Sequence, residues 1–197
     1  MSIWAISSRL AAASAVIQLL GSAEQLQAQI SLQEALSGAF PPPAAVERKT
    51  AFLDPEDLAA IRTAAGADAP VTQRVVSYYV ATRDGKPLGV AYFDSHRVRT
   101  LNEVVMIVVE PGDSAGSDRI RSIEVLRFAE PPEYHARGAW LNQFKGSTLS
   151  RNLSLKQSIL NMTGATLTSN AIVRAARRVL AIHHRIKPWA PASGTAH

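Results

Sequence analysis

The sequence predicts an α+β fold: an antiparallel β-sheet meander packed with helices and ended by a long C-terminal helix. Three observations carry this. Runs rich in β-branched and aromatic residues at 73–82, 88–94, 101–110 and 119–128 follow one another through short turns, which join neighbouring strands antiparallel. Two short segments with helix-start signals precede them. After them, apolar residues recur at helical spacing from Asn170 to Ile186, behind the hydroxyl-rich loop Thr163-Gly164-Ala165-Thr166-Leu167-Thr168-Ser169.

The 197 residues have room for one domain and a leader. A hydrophobic share of 47% against 19% charged residues provides a core and argues against global disorder. The net charge of +5 suggests an acidic partner, an anionic membrane surface or nucleic acid. Its one cluster, at Arg174, Arg177, Arg178, His183, His184, Arg185 and Lys187, reads as a solvated helix face. The absence of cysteine excludes disulfides, iron–sulfur clusters, c-type haem attachment and thiol catalysis. An electron carrier of this composition must use flavin, non-covalent haem, or a metal on His and carboxylates. His96, His135, His183 and His184 lack a tight ligand spacing with carboxylates, so no metal is expected. No Ser-His-Asp set, Gly-x-Ser-x-Gly elbow, Walker loop or dinucleotide fingerprint is present.

Along the chain, residues 1–28 read as a signal peptide: Arg9, a short apolar run from Leu10 to Leu20, then small residues and a cleavage point after Ala28. The run falls short of the roughly 20 residues that span a bilayer. Residues 29–70 read as an N-terminal helical segment. Ser31 and Glu34 form a capping box for a helix up to Phe40, and Pro41-Pro42-Pro43 ends it. Asp54 caps a second helix, with Pro55 in its first turn, which ends at Gly66. The main domain spans 71–187. Asp84-Gly85 makes a hairpin between the first two strands. Leu101–Glu110 is the most apolar segment and reads as a central strand; Arg119–Phe128 alternates, as if one face were buried and the other wet. Glu130–Gly138 is irregular, Trp140–Phe144 a short helix or turn, and the tail 188–197 is expected to be disordered.

The loop before the last helix carries the chemistry. Hydroxyls on Thr163, Thr166, Thr168 and Ser169 crowd around Gly164, which permits a backbone conformation closed to other residues. The free N–H groups and dipole of a helix start favour a phosphate. An ordinary N-cap, with Thr168 or Ser169 capping, is the alternative, and composition alone favours it.

This stretch resembles the flavinylation motif of FMN-binding domains, a family that includes the covalent-FMN subunits of the sodium-pumping NADH:quinone oxidoreductase and of the Rnf complex, and single-domain exported relatives. The family's Ser/Thr-Gly-Ala-Thr core falls on Thr163, Gly164, Ala165 and Thr166, and Leu167, Thr168 and Ser169 follow it. The resemblance implies that FMN is joined to Thr166 through a phosphoester made by a flavin transferase. It extends more weakly over 73–183. Glu130 and Pro132 match a turn that lies beside the flavin in the family, and Trp140 to Phe144 resembles its Trp-x-x-Gln-Phe segment. Two positions depart from the family pattern. Leu160 stands where the family has the Asp its transferase needs, and His96-Arg97-Val98-Arg99 replaces a glycine-rich turn.

The resemblance therefore implies an electron-transfer flavoprotein on the periplasmic or extracytoplasmic side of the membrane, passing electrons rather than converting a substrate. Its phosphate is expected at the helix start, with Trp140, Phe144, Glu130 and Pro132 as the ring's wall. A flavin transferase and a membrane or periplasmic redox partner are the expected partners. Nucleic acid is not expected, because neither a recognised motif nor interleaved aromatics accompany the charge. The alternative is a non-redox binding or structural module on the same fold, with a degenerate motif and no FMN.

Overall fold

The computed structural model describes residues 31–114 and 116–189; the expected leader at 1–28 and residues 190–197 of the expected tail lie outside the described residues. The two N-terminal helices begin where their caps place them. In α1 (Leu32–Ala39) the Ser31 side chain accepts from the Glu34 N–H, and Glu34 accepts from the Ser31 N–H. Asp54 and Asp57 make the same reciprocal pair at the start of α2 (Pro55–Ala65).

Between these helices runs a strand, β1 (Ala45–Phe52), that the helical reading of 29–70 does not contain. It pairs antiparallel with β2 (Val75–Arg83), from Ala45 opposite Thr82 to Phe52 opposite Val75. As an edge strand it is exposed at nearly every position, so no buried face marks its sequence, and Glu47-Arg48-Lys49 breaks the apolar pattern further.

The predicted meander follows. β3 (Lys86–Arg97), β4 (Asn102–Glu110) and β5 (Arg119–Phe128) complete a five-stranded antiparallel sheet in the order β1-β2-β3-β4-β5. Asp84 and Gly85, both at positive φ, make the β2–β3 turn. β4 is an interior strand, flanked by β3 and β5.

The expectation of one buried and one wet face for Arg119–Phe128 is corrected, because both faces of the sheet are covered. One face packs against α2 and the C-terminal helix α4 (Thr166–Ile186), joining Val90, Tyr92, Ile107 and Val109 to Ile61, Ile172 and Leu180. The other is covered by α1, whose Leu36 and Phe40 pack with Ala91, Met106, Val108 and Leu126. β5 does not alternate strictly either. Arg121 and Leu126 have no partner in the β4 register, and these two bulges bring Ile120, Ile123 and Val125 to the α4 face while Leu126 joins the α1 face.

Helix α4, 21 residues and about 30 Å long, lies on the sheet antiparallel to β3. Tyr92 meets His183 and Asp94 meets Arg178, so the far end of β3 and the loop after it reach the start of α4. The basic residues of this helix are not simply solvated. Arg177 pairs with Asp68, Arg178 grips Asp94 with two N–H donors at 3.0 and 2.7 Å, and Arg185 pairs with Asp57. His183 is completely buried. Arg174 and Lys187 keep the expected exposure. Partners that lie on other elements in space, invisible in the local sequence, explain the difference. No helix among the described residues is long and apolar enough to cross a membrane.

Candidate functional site

The hydroxyl-rich loop opens the helix earlier than its apolar pattern suggests. Gly164 sits at φ +80°, and open space surrounds the position a Cβ would take. The Ala165 N–H closes a turn onto the Met162 carbonyl at 3.1 Å. Helix α4 then begins at Thr166, with Ala165 as N-cap and no side chain capping it. The cap expected from Thr168 or Ser169 is not formed, because both hydroxyls are buried and engaged elsewhere. Thr168 donates to the Tyr134 carbonyl at 2.8 Å. Ser169 donates to the Ala165 carbonyl and accepts from the Met162 N–H. The first-turn N–H groups of α4 are thus left without a side-chain acceptor.

Thr163, Gly164, Thr166 and Leu167 remain exposed. The Thr166 hydroxyl accepts a hydrogen bond from Nδ2 of Asn161 at 2.9 Å, which fixes its position at the surface. Beside it opens a cavity of about 330 Å³ lined by Gly164, Ala165, Thr166, Leu167, Thr168, Arg99 and Tyr134. An uncapped helix start, a glycine with room beside it and a guanidinium around one cavity suit a phosphate-bearing ligand.

Glu130 does not line this cavity; it builds it. The β4–β5 register sets Phe128 opposite Glu103, which brings Glu130 abreast of the β3–β4 loop. One oxygen of its buried carboxylate accepts the N–H groups of Arg99, Thr100 and Leu101 at 3.1, 2.6 and 2.8 Å. The N–H groups of Leu101 and Thr100 hold its carboxyl below the usual carboxylate range. Pro132 starts the 3-10 turn Pro132–Tyr134. The segment 130–134 therefore braces both walls: Glu130 fixes the Arg99 loop, and the Tyr134 carbonyl holds Thr168.

Trp140 and Phe144 lie in a short helix, α3 (Gly138–Leu141), and the 3-10 turn Asn142–Phe144 that follows it. Phe144 is completely buried in the core and has no exposed face to offer a ring. Trp140 packs edge-on against it at 5.3 Å. Its indole N–H donates to the Leu160 carbonyl at 2.7 Å, while the Leu160 N–H donates to Oε1 of Gln143 at 2.9 Å. This segment clamps the backbone just ahead of Asn161 and Thr166. The Leu160 side chain, where the family has Asp, stands 69% exposed, so an acid at this position would also face solvent near Thr166.

The residues that sequence reasoning missed are Arg99, Tyr134 and Asn161. Arg99 was legible only as a departure from a glycine-rich turn, and Tyr134 had no signal beyond its nearness to Glu130-Pro131-Pro132. Asn161 was visible only as the neighbour of Leu160.

The fold and this site define an α+β protein with a cavity suited to a phosphate at the start of its last helix. Residues 104–181, from β4 through most of α4, match the FMN-binding domain family. The match supports flavin binding, with FMN as the cofactor. No curated protein and no solved structure matches the chain.

Proposed function

We propose that the chain is an extracytoplasmic electron-transfer protein that carries FMN through a phosphoester on Thr166. The observation that carries this reading is the exposed Thr166 hydroxyl at the uncapped first turn of α4, on the rim of the cavity. The helix N–H groups favour a phosphate there, and an ester would stop loss of the cofactor outside the cytoplasm. FMN, when bound, supplies reversible one- and two-electron chemistry. The chain's residues supply the seat. Gly164 lets the backbone turn into the helix without a side chain in the way, and Asn161 orients the Thr166 oxygen. Forming the ester joins the Thr166 oxygen to the flavin phosphorus of a flavin dinucleotide supplied to the transferase, breaks the pyrophosphate P–O bond so that the nucleoside monophosphate leaves, and requires Thr166 to lose its hydroxyl proton. The Asn161 amide donates to that oxygen and cannot take the proton, so deprotonation falls to the flavin transferase. The expected partners are that transferase and a membrane or periplasmic redox protein. Export rests on the leader-like composition of 1–28.

The experiment is co-expression of the full chain with a flavin transferase, read as flavin fluorescence in a denaturing gel. Wild type is expected to carry the band and Thr166→Ala to lose it. An equal band on both would remove Thr166 as the attachment site. No band on either, together with no flavin absorbance in the native protein, would favour the second reading, a non-redox module without FMN. The observation behind that reading is Leu160 in place of the family's Asp.

A further inference from the structure

We infer that Arg99 is the counter-ion of the FMN phosphate and makes the cavity select phosphorylated flavin over riboflavin; this rests on the FMN-binding reading above and adds a ligand to it. Arg99, from the β3–β4 loop, lines the same cavity as Thr166. Its backbone is held, because the Glu130 carboxylate accepts the N–H groups of residues 99 to 101. The turn that carries it is closed by the Val98 N–H on the Leu101 carbonyl. Its guanidinium lies over the Tyr134 ring, 4.8 Å from the centroid. The ring holds the cation by its face and takes none of the guanidinium N–H donors as a hydrogen-bond acceptor would, so they remain available to grip a phosphate through two oxygens.

Arg177 and Arg178, both on α4, have carboxylate partners, Asp68 and Asp94. Arg99 has none among the described residues, and the rest of the cavity lining offers only neutral groups and uncapped helix N–H donors. A cation held in place beside a cavity, without a protein anion, is arranged for an anionic ligand. Tyr134 joins the two walls, since its carbonyl accepts from Thr168 at the helix start while its ring carries the Arg99 fork. The phosphate would then be bracketed between helix N–H groups and guanidinium.

The test uses the full chain, purified without flavin, in a Thr166→Ala background that keeps binding reversible. FMN and riboflavin affinities are measured by titration of flavin fluorescence, with and without Arg99→Ala. The background protein is expected to prefer FMN over riboflavin. Arg99→Ala is expected to weaken FMN about ten-fold or more, the range of a charge-assisted contact, and to leave riboflavin unchanged. Arg99→Lys is expected to recover part of the preference, because it keeps the charge without the fork. An unchanged FMN-to-riboflavin ratio in Arg99→Ala, or an equal loss of both flavins, would overturn the assignment while leaving flavin binding intact. A background protein that binds neither flavin would overturn the FMN reading itself. The thermal midpoint, expected to be unchanged for this exposed residue, separates loss of the contact from loss of the fold.

Discussion

At Asp94 one buried carboxylate serves an arginine and a histidine. Arg178 on α4 grips it with two N–H donors, and Nδ1 of His96 lies 2.8 Å away on the same strand. His96 in turn reaches the fully buried Glu103 at 2.9 Å. Burial alone would raise the Asp94 carboxyl; its contacts with His96 and Arg178 outweigh that and bring it to about 2. Removing the carboxylate leaves a half-buried guanidinium and an imidazole without their anion. Asp94→Ala is therefore expected to cost about 3–5 kcal/mol, read as a lower urea midpoint with an unchanged slope. A loss below about 1 kcal/mol would mean that solvent already screens the pair. Little of this was legible in the sequence. Arg178 was visible as a charge on a helix, but its partner lies 84 residues away, and the local pattern of a basic helix cannot tell a tethered arginine from a solvated one.

Among the elements, legibility followed burial and capping. The capping boxes at Ser31 and Asp54 and the Asp84-Gly85 turn are local chemistry, so sequence located them well. β1 escaped because an exposed edge strand leaves no alternating face, and the bulges of β5 escaped because they depend on the register with β4. The start of α4 at Thr166 was displaced in the reading for a related reason. Its first turn carries hydroxyls, whose partners at Tyr134, Ala165 and Met162 are set by the tertiary fold. The motif itself was legible, whereas the cavity around it was not, because its second wall comes from the β3–β4 loop. Gly164 tests whether the geometry of this helix start matters beyond its stability. With open space around its Cβ position, Gly164→Ala meets no clash, and the strain of φ +80° alone remains, about 1–2 kcal/mol. Gly146, at the same φ and equally open, is the control and is expected to lose the same stability on substitution by Ala. Only Gly164→Ala is expected to lose flavin loading beyond that, measured as bound flavin per protein. Equal loading of the two variants would show that loading tracks stability and not the helix start.

For the molecule as a whole, the far end of α4 is fixed by a network that makes stability depend on pH. His183 is packed between β3 and the loop before β5. Its Nδ1 lies 2.9 Å from the Tyr92 hydroxyl and its Nε2 3.0 Å from Asp118, which also accepts the Trp189 indole N–H at 3.2 Å. A neutral imidazole satisfies this pairing: Tyr92 donates to Nδ1, and the Nε2 proton goes to Asp118. Burial pushes His183 down to about 4, with neighbouring His184 adding to the fall and Asp118 opposing it. The sign follows from proton counting. Between about 4 and its ordinary value of 6.5, the unfolded chain holds a proton on this residue that the folded chain does not, so stability rises with pH across that window. The carboxylates held low in the fold, Glu34, Asp57, Asp94 and Glu130, act at lower pH, at and below their ordinary range of 3.8 to 4.5. His96 acts above the window and in the opposite sense. Burial lowers it, but Asp94 and Glu103 raise it past 6.5, so its contribution is complete below 6.5 and is lost as pH climbs through the raised value. Between about pH 5 and 6, therefore, the slope belongs chiefly to His183 and approaches one proton, about 1.4 kcal/mol per pH unit. Urea denaturation at half-unit steps measures it, and the His183 ring proton followed by NMR is expected to titrate near 4. A flat or falling profile across this window, or a ring that titrates near 6.5, would mean that water reaches His183 and that the end of α4 is not sealed against the sheet.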